Sequence, residues 1–489
     1  MESSYFDYKR SLEILRKLNN LISQDEYLKN LFIYKGFNLL QSTQANFFID
    51  IKGWTKSKDS HFFARTSFLL ILKNFVSIFF VSVISVVSIF WLLVFRKKLL
   101  IFTGDKVSSK NGNYDFRLDP LYGALNNSDM GYIELVHTIS GKIMFLNFFK
   151  RLRPVIYLEA FDWTTTFKVN RDKKKIEKHL EHYNLSQFSP EEQVLVKFLI
   201  IKHISAVNIF KLRIPYLKSL LALSSVKRIF SIDDVRHYNE IVLVSKFLGI
   251  KFYAIQHGHF TKYHVGWLAM TDNLGEIIKP ERIIVWSEYW KNQLLKLGTY
   301  FKQEDMLVGG TNDFVGEPYF PKILSKKISI LIPYESDAPK VEVKAYISEL
   351  LKEPNFEVIF KIRADLSEEE QLIQYGLLNL KDKISITKSV KDVLQRTDVA
   401  LGSYSTFLYE MVVLLRPVGI LETSIDYGMG MVEGSLAELV QLRGIKEKLL
   451  EIANTPKEIL EDRREKLLGR GETKLSETLK KMIKDFIPN

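Results

Sequence analysis

"VKRIFSIDDVRHYNEIVLVSKFLGIKFYAIQHG" (residues 226–258) holds the unit from which the rest of the chain can be read. Its first part, "VKRIFSIDD" (226–234), reads as a strand ending in two acids. "VRHYNEIVLVSKFLGI" follows as an amphipathic helix closing at Gly249, and "KFYAIQHG" is the next strand. Strands separated by a helix of ten or more residues call for parallel pairing through a right-handed crossover. Gln256, His257 and Gly258 then fall at the carboxyl end of a parallel strand, where open sheets of this kind bind ligands.

The same alternation extends both ways. "KKLLIF" (97–102) and "PVIYLEA" (154–160) read as strands, and 170–225 as mainly helical. Beyond the opening unit come strand "RIIVWS" (282–287), helix "EYWKNQLLKLG" and strand "MLVGG" (306–310). A second series follows in "KISILIPY" (327–334), "FEVIFKI" (356–362), "KISIT" (383–387), "DVALGS" (398–403) and "RPVGIL" (416–421). Helices are expected around 341–352, 389–396 and 405–415. Gly and Pro gather in "GGTNDFVGEPYFPKI" (309–323), which marks a change of domain. The expected fold class is α/β, with two Rossmann-like domains facing across a cleft. The expected division is a mainly helical segment 1–66, a transmembrane or membrane-inserted helix 67–98, Rossmann-like domains 99–312 and 313–470, and a C-terminal helix 471–489.

Composition agrees with two domains. The chain has 489 residues, 46% hydrophobic and 26% charged, which suits globular domains and excludes a disordered chain. It has no cysteine, which excludes disulfides and thiolate metal sites. A net charge of +12 points to an anionic neighbour. Nucleic acid is disfavoured, because the basic residues are scattered with no stacking-aromatic motif among them. "FVSIFFVSVISVVSIFWLLVF" (75–95) carries no charge and is long enough to cross a bilayer as a helix. Arg96, Lys97 and Lys98 follow it as on a cytoplasmic flank. A membrane partner is expected, with the large C-terminal part in the cytosol.

Two stretches could carry chemistry. In "QHGHF" (256–260), His257 can take a proton from a hydroxyl near neutral pH, and Gly258 lets a phosphate or backbone approach closely. A polar turn with a satisfied histidine explains the same residues. His259 and His264 are recommended only by proximity, and the spacing of the three histidines is a weak metal pattern. In "SYSTFLYE" (403–410), Ser403, Ser405 and Thr406 stand where a helix begins, so amides and helix dipole favour a phosphate there. Helix capping would use the same hydroxyls. Glu410, one turn on, could accept from ribose hydroxyls. Asp234, with Asp233, Glu159 and Asp162, is an alternative base at a strand end. "GMGMVEG" (428–434) lacks the dinucleotide-binding spacing and reads as a surface loop.

Together, "D–helix–GI–x–QHG" at 234–258, "VWSEYWKNQLLKLG" at 285–298, "VGGTND" at 308–313 and "SYSTFLYE" before "RPVGI" resemble the GT-B glycosyltransferase superfamily. The likeness spans roughly 99–465 and is greatest to bacterial surface-polysaccharide enzymes, including capsule sugar transferases and CDP-glycerol glycerophosphotransferases. It implies an acceptor on the N-terminal domain and a nucleotide donor on the C-terminal one. The base then falls on His257, and Asp234 stays the alternative base at its strand end. Donor phosphate falls on Ser405 and Thr406, and the ribose near Glu410. Gln256, Gly258, Gly310, Thr311, Arg363 and Ser403 complete the implied donor site. The family's "KxHP" motif is altered to "FKIRAD" (360–365), with Arg363 where the histidine would stand. No D-x-D triplet is found, so no metal and no cofactor are expected, the nucleotide-sugar being substrate. The implied reaction is metal-independent, inverting sugar transfer to a glycan or polyprenyl-linked acceptor at the inner (cytoplasmic) membrane, with the catalytic domains facing the cytoplasm. Alternatives are a glycerophosphotransferase, a nucleotide-sugar epimerase or a silent scaffold of the same fold.

Overall fold

The computed structural model describes residues 6–54, 68–104, 115–126, 131–137, 155–164, 175–181, 183–232, 239–270, 276–310, 327–363, 366–388, 393–394, 396–469 and 474–485. Near the N-terminus, β1 (Ile33–Tyr34) pairs with β2 (Phe37–Asn38). The first lobe then contributes β3 (Leu99–Gly104), β4 (Tyr132–His137), β5 (Val155–Tyr157), β6 (Arg228–Ile232) and β7 (Lys251–Ile255). It continues with β8 (Glu276–Ile277), β9 (Arg282–Val285) and β10 (Met306–Val308). β8 joins the small sheet beside β2, and the others form one parallel sheet in the order β10-β9-β7-β6-β3-β4-β5. Every residue of β3 is buried, as expected of a central strand covered on both faces.

The second lobe holds β11 (Ile328–Pro333), β12 (Phe356–Lys361), β13 (Ser385–Thr387), β14 (Val399–Gly402), β15 (Val418–Leu421) and β16 (Glu438–Val440). They pair in parallel in the order β13-β12-β11-β14-β15-β16. Both sheets therefore start at a central strand, run outward to one edge, and return to build the other side. This is the Rossmann order, and it opens crevices between β3 and β6 and between β11 and β14. The two-domain α/β expectation is met by this sheet order. The change of domain falls between Val308 and Ile328, and residues 311–326 within it lie outside the described residues.

Two segments cross what a linear division would separate. Helix Leu475–Lys484 returns to the first lobe, where Leu475, Leu479 and Ile483 share a core with Leu118, Leu121 and Ile284. The N-terminal segment, with helices Tyr8–Gln24 and Leu39–Lys52, packs on the long helix Pro190–Leu223. There Lys202 and His203 both reach Asp50, at 2.7 and 2.9 Å.

The expected membrane segment 67–98 does contain a helix, Phe68–Val94. Among the described residues, the continuously described part of the N-terminal helix, Val81–Val94, is a shorter apolar stretch, and helix Pro190–Leu223 is long and apolar enough to cross a bilayer. Its most apolar window is half buried, and it carries buried Glu192, His203 and Arg213, paired with Arg10, Asp50 and Glu240. Such pairs fit a helix packed against the rest of the protein, because an ion removed from water needs a partner.

Candidate functional site

Gln256 opens the turn after β7 and is completely buried. Its side-chain oxygen accepts from the Trp286 amide at 2.9 Å, its side-chain nitrogen donates to the Gly258 carbonyl at 2.8 Å, and its own carbonyl accepts from the Trp286 indole at 3.0 Å. With its hydrogen bonds used internally, Gln256 shapes the turn and is not available as a donor-binding group, contrary to expectation. The turn holds His257 and Gly258 half-exposed on the wall of a cavity of about 330 Å³. A methyl group added to Gly258 would meet nothing within 4 Å, so the protein itself does not require a glycine there.

Three parts of the chain wall this cavity. The first lobe supplies His257, Gly258, His259 and Tyr263; the second supplies Asp337, Tyr404 and Tyr427; the N-terminal segment supplies Tyr8, Phe48 and Lys52. Lys52 bonds the Asp337 carboxylate. Burial works to raise the Asp337 pKa, but the Lys52 charge and hydrogen bonds from Lys52, Tyr8 and Ser336 outweigh it and hold the group below its ordinary range. The rings of Tyr404 and Tyr427 stack at 4.5 Å, and Tyr8 meets Tyr427 edge-on at 5.6 Å.

His259 makes one of the contacts between the lobes. His259 Nδ1 meets the Thr406 hydroxyl. Burial first, then the neighbouring His264 and His257, push its pKa down to about 3, so the ring is neutral. Thr406, expected to hold phosphate, is thereby tied to a histidine of the other lobe.

The start of helix Thr406–Val413 differs from expectation in a second way. The Ser405 hydroxyl caps it by accepting from the Phe407 amide. The amides of Ser403, Tyr404 and Ser405 all donate to one side chain, the carboxylate of Glu335, at 2.8, 2.8 and 2.6 Å. Glu335 follows β11, directly across the β11–β14 crevice. Burial pushes its pKa up, and the three amides offset part of that. The turn thus already holds an acceptor group, and the chain supplies it. Ser403 and its neighbours therefore offer a phosphate their side chains at most, since three of their amides are taken.

Two cationic side chains of the second lobe, Lys361 and Arg363, sit at the end of β12. Burial lowers the pKa of Lys361, Glu410 raises it and Arg363 lowers it. Burial raises the Glu410 pKa and Lys361 lowers it. Glu410 is thus coupled to a lysine, while Arg363 is exposed and fixed by its backbone to Gln371, at 2.7 and 3.0 Å. A further cavity of about 330 Å³ lies past β14 and β15, lined by Ser403, Glu422, Thr423 and the 428–433 stretch. That stretch is no loose surface loop. Met429 and Met431 are buried, Gln293 bonds the Gly428 carbonyl at 2.7 Å, and Tyr409 bonds that of Met429 at 2.7 Å.

Of the remaining expected residues, Gly310 is buried with a positive φ of 91°, a conformation that suits glycine. Asp234 and Thr311, with Asp233, lie outside the described residues, as does the side chain of Asp162. Glu159 pairs with His137 at 2.7 Å. Burial would raise its pKa, but His137 and Arg213 hold it below the usual range, so it is a poor base at neutral pH. Among the described residues no three His, Asp or Glu side chains converge as metal ligands. Three contributors were missed in the sequence. Lys361 was findable, as the lysine of "FKIRAD". Glu335 directly follows a strand, which is a weak signal. Lys52 lies far from both motifs, with nothing in its neighbours to connect it to them.

No family model and no curated protein matches the sequence. Solved structures do resemble the fold. The glycotransferase of kitacinnamycin is 10% identical, with a TM-score of 0.47 over 80% of this chain and 100% of that one. The UDP-GlcNAc 2-epimerase from Methanocaldococcus jannaschii is 14% identical, with a TM-score of 0.41 over 80% and 99%. The spinosyn rhamnosyltransferase bound to spinosyn aglycone is 9% identical, with a TM-score of 0.45 over 79% and 100%. The assignment of two Rossmann-like lobes rests on this chain's own sheet order.

Proposed function

We propose that this protein is a membrane-associated glycosyltransferase that moves a sugar from a nucleotide-activated donor to a surface-glycan or lipid-linked acceptor. The observation that carries the reading is the shared cavity, to which one strand end contributes His257 and the opposite lobe contributes Asp337 and Tyr404. In this reading His257 takes the proton of the acceptor hydroxyl as its oxygen attacks the anomeric carbon. The bond from that carbon to the donor phosphate breaks on the opposite face, which inverts the centre. The leaving phosphate keeps the electron pair, and Lys361, Arg363 and the Ser405 hydroxyl offset its charge without a metal. Aromatic walls around the cavity suit the apolar faces of a sugar ring. The protein would work at the cytoplasmic face of the inner membrane.

The test is a panel of UDP-, GDP-, CMP- and CDP-linked compounds, scored first by the rise in melting temperature and then by turnover with a lipid-linked acceptor. One donor should stabilise the protein, and His257→Ala should keep that binding while slowing transfer about 100-fold or more. Turnover of the donor without any acceptor would instead indicate an epimerase. A second reading has one observation behind it: Glu335 fills the amides expected to hold phosphate. A silent scaffold of this fold would bind no member of the panel.

A further inference from the structure

We infer that the outward face of helix Phe68–Val94 lies in the plane of an anionic bilayer surface, held there as part of the first lobe, and does not cross the membrane. The inference rests on the membrane association proposed above but not on sugar transfer.

The inner face of the helix is already committed. Val81, Ser85, Ser88 and Leu92 recur at helical spacing and are all buried. The Ser88 hydroxyl accepts from the Val155 amide and that of Ser85 from the Tyr157 amide, each at 2.9 Å. These are amides of β5, the last strand of its sheet, so the serines cover an edge that would otherwise expose unpaired donors. Val81 and Ile84 pack beside them on Val136, Val155 and Tyr157. Moving this helix into the bilayer as a span would strip the strand of its cover and break both hydrogen bonds to its edge amides.

The outer face has the opposite character. Val83, Val86, Val87, Phe90, Val94 and Phe95 are between 52% and 67% exposed, and they form one continuous apolar stripe. A stripe of this extent marks an interaction surface. Its charge surroundings select the partner. No acidic residue occurs between Asp59 and Asp105, whereas Arg96, Lys97 and Lys98 follow the helix directly. Arg96 and Lys98 are exposed, and Lys97 lies over the Phe95 ring at 5.9 Å. The rings of Trp91 and Phe95 meet at 4.0 Å at the same end. Apolar side chains sunk among acyl chains, with aromatic rings and cations at the headgroup level, are what an interfacial helix presents to anionic lipid. The helix lacks a polar face of its own because its other side is the protein.

The absence of cysteine permits a direct test on the full chain. Single variants Val83→Cys, Val87→Cys, Phe90→Cys and Val94→Cys are labelled with a polarity-sensitive dye. They are mixed with vesicles of phosphatidylglycerol and phosphatidylcholine whose lipids carry quenchers at known depths. An in-plane helix gives one shallow depth for all four labels. A spanning helix separates the labels at 83 and 94 by about 16 Å, which overturns the inference. Binding to the mixed vesicles should fall roughly tenfold or more for Phe90→Glu, with an unchanged melting temperature. Replacing Arg96, Lys97 and Lys98 by Gln should weaken binding and reduce its salt dependence. No binding to anionic vesicles, or a lipid-free dimer that Phe90→Glu dissociates, refutes it in favour of a second copy of the chain. Donor-induced melting shifts measured without lipid report separately on the catalytic reading.

Discussion

His257 and His259 stand two positions apart on one turn and meet different surroundings. The first is half-exposed on the cavity wall; the second is buried with its Nδ1 on the Thr406 hydroxyl. Burial and two neighbouring imidazoles bring the His259 pKa from the ordinary 6.5 to about 3 in the folded state. The unfolded chain therefore binds a proton between these values that the folded chain refuses. The stabilising difference is fully present above about pH 6.5 and is lost as pH falls towards 3, by up to about 1.4 kcal/mol per pH unit. Urea midpoints of wild type and His259→Gln, compared from pH 7 to pH 4, should show the steeper decline only in the wild type. The sequence singled out His257 on chemical grounds. It had no means of distinguishing His259, whose partner lies 147 residues away.

At the scale of elements, the strand–turn–helix at 398–413 was legible, with capping by one of its hydroxyls as one of two readings; the structure makes Ser405 the cap. Glu335 was not, because a carboxylate reaches the amides of another turn only once β11 and β14 lie side by side. The glycines of two turns make a contrasting pair. Gly430 has a φ of 74°, and a methyl group there would lie 2.4 Å from the Gln293 side-chain oxygen. Gly430→Ala should cost about 1–3 kcal/mol in urea unfolding and loosen the lobes. Gly258→Ala meets open space and should leave stability within about 0.5 kcal/mol of wild type. If Gly258 is there for a ligand, the same change should raise the KM for that ligand.

For the whole molecule, chain order and spatial order diverge at both ends. Leu475, Leu479 and Ile483 are at most 1% exposed against the first lobe, although they follow the second. Each such burial contributes up to about 2 kcal/mol. Truncation after residue 469 should therefore destabilise the first lobe by several kcal/mol. Hydrogen exchange is expected to quicken in helix Asp119–Asn126, which packs on the lost segment, and much less in Glu368–Tyr375. Uniform quickening in both lobes would contradict this assignment. The N-terminal segment behaves likewise: Lys52 and Tyr8 close the cavity from a part of the chain to which no motif assigned a role.

Strands, crossovers and the carboxyl-end position of "QHGH" were determined by local pattern, since side-chain periodicity and breaker residues act over a few positions. Which hydroxyl meets which histidine, what fills the amides before Thr406, and which face of the apolar helix stays outside were decided by tertiary structure alone. Those facts depend on distances between residues 50 to 150 apart in sequence, and burial and pairing energies exist only after the two sheets and their flanking helices have met.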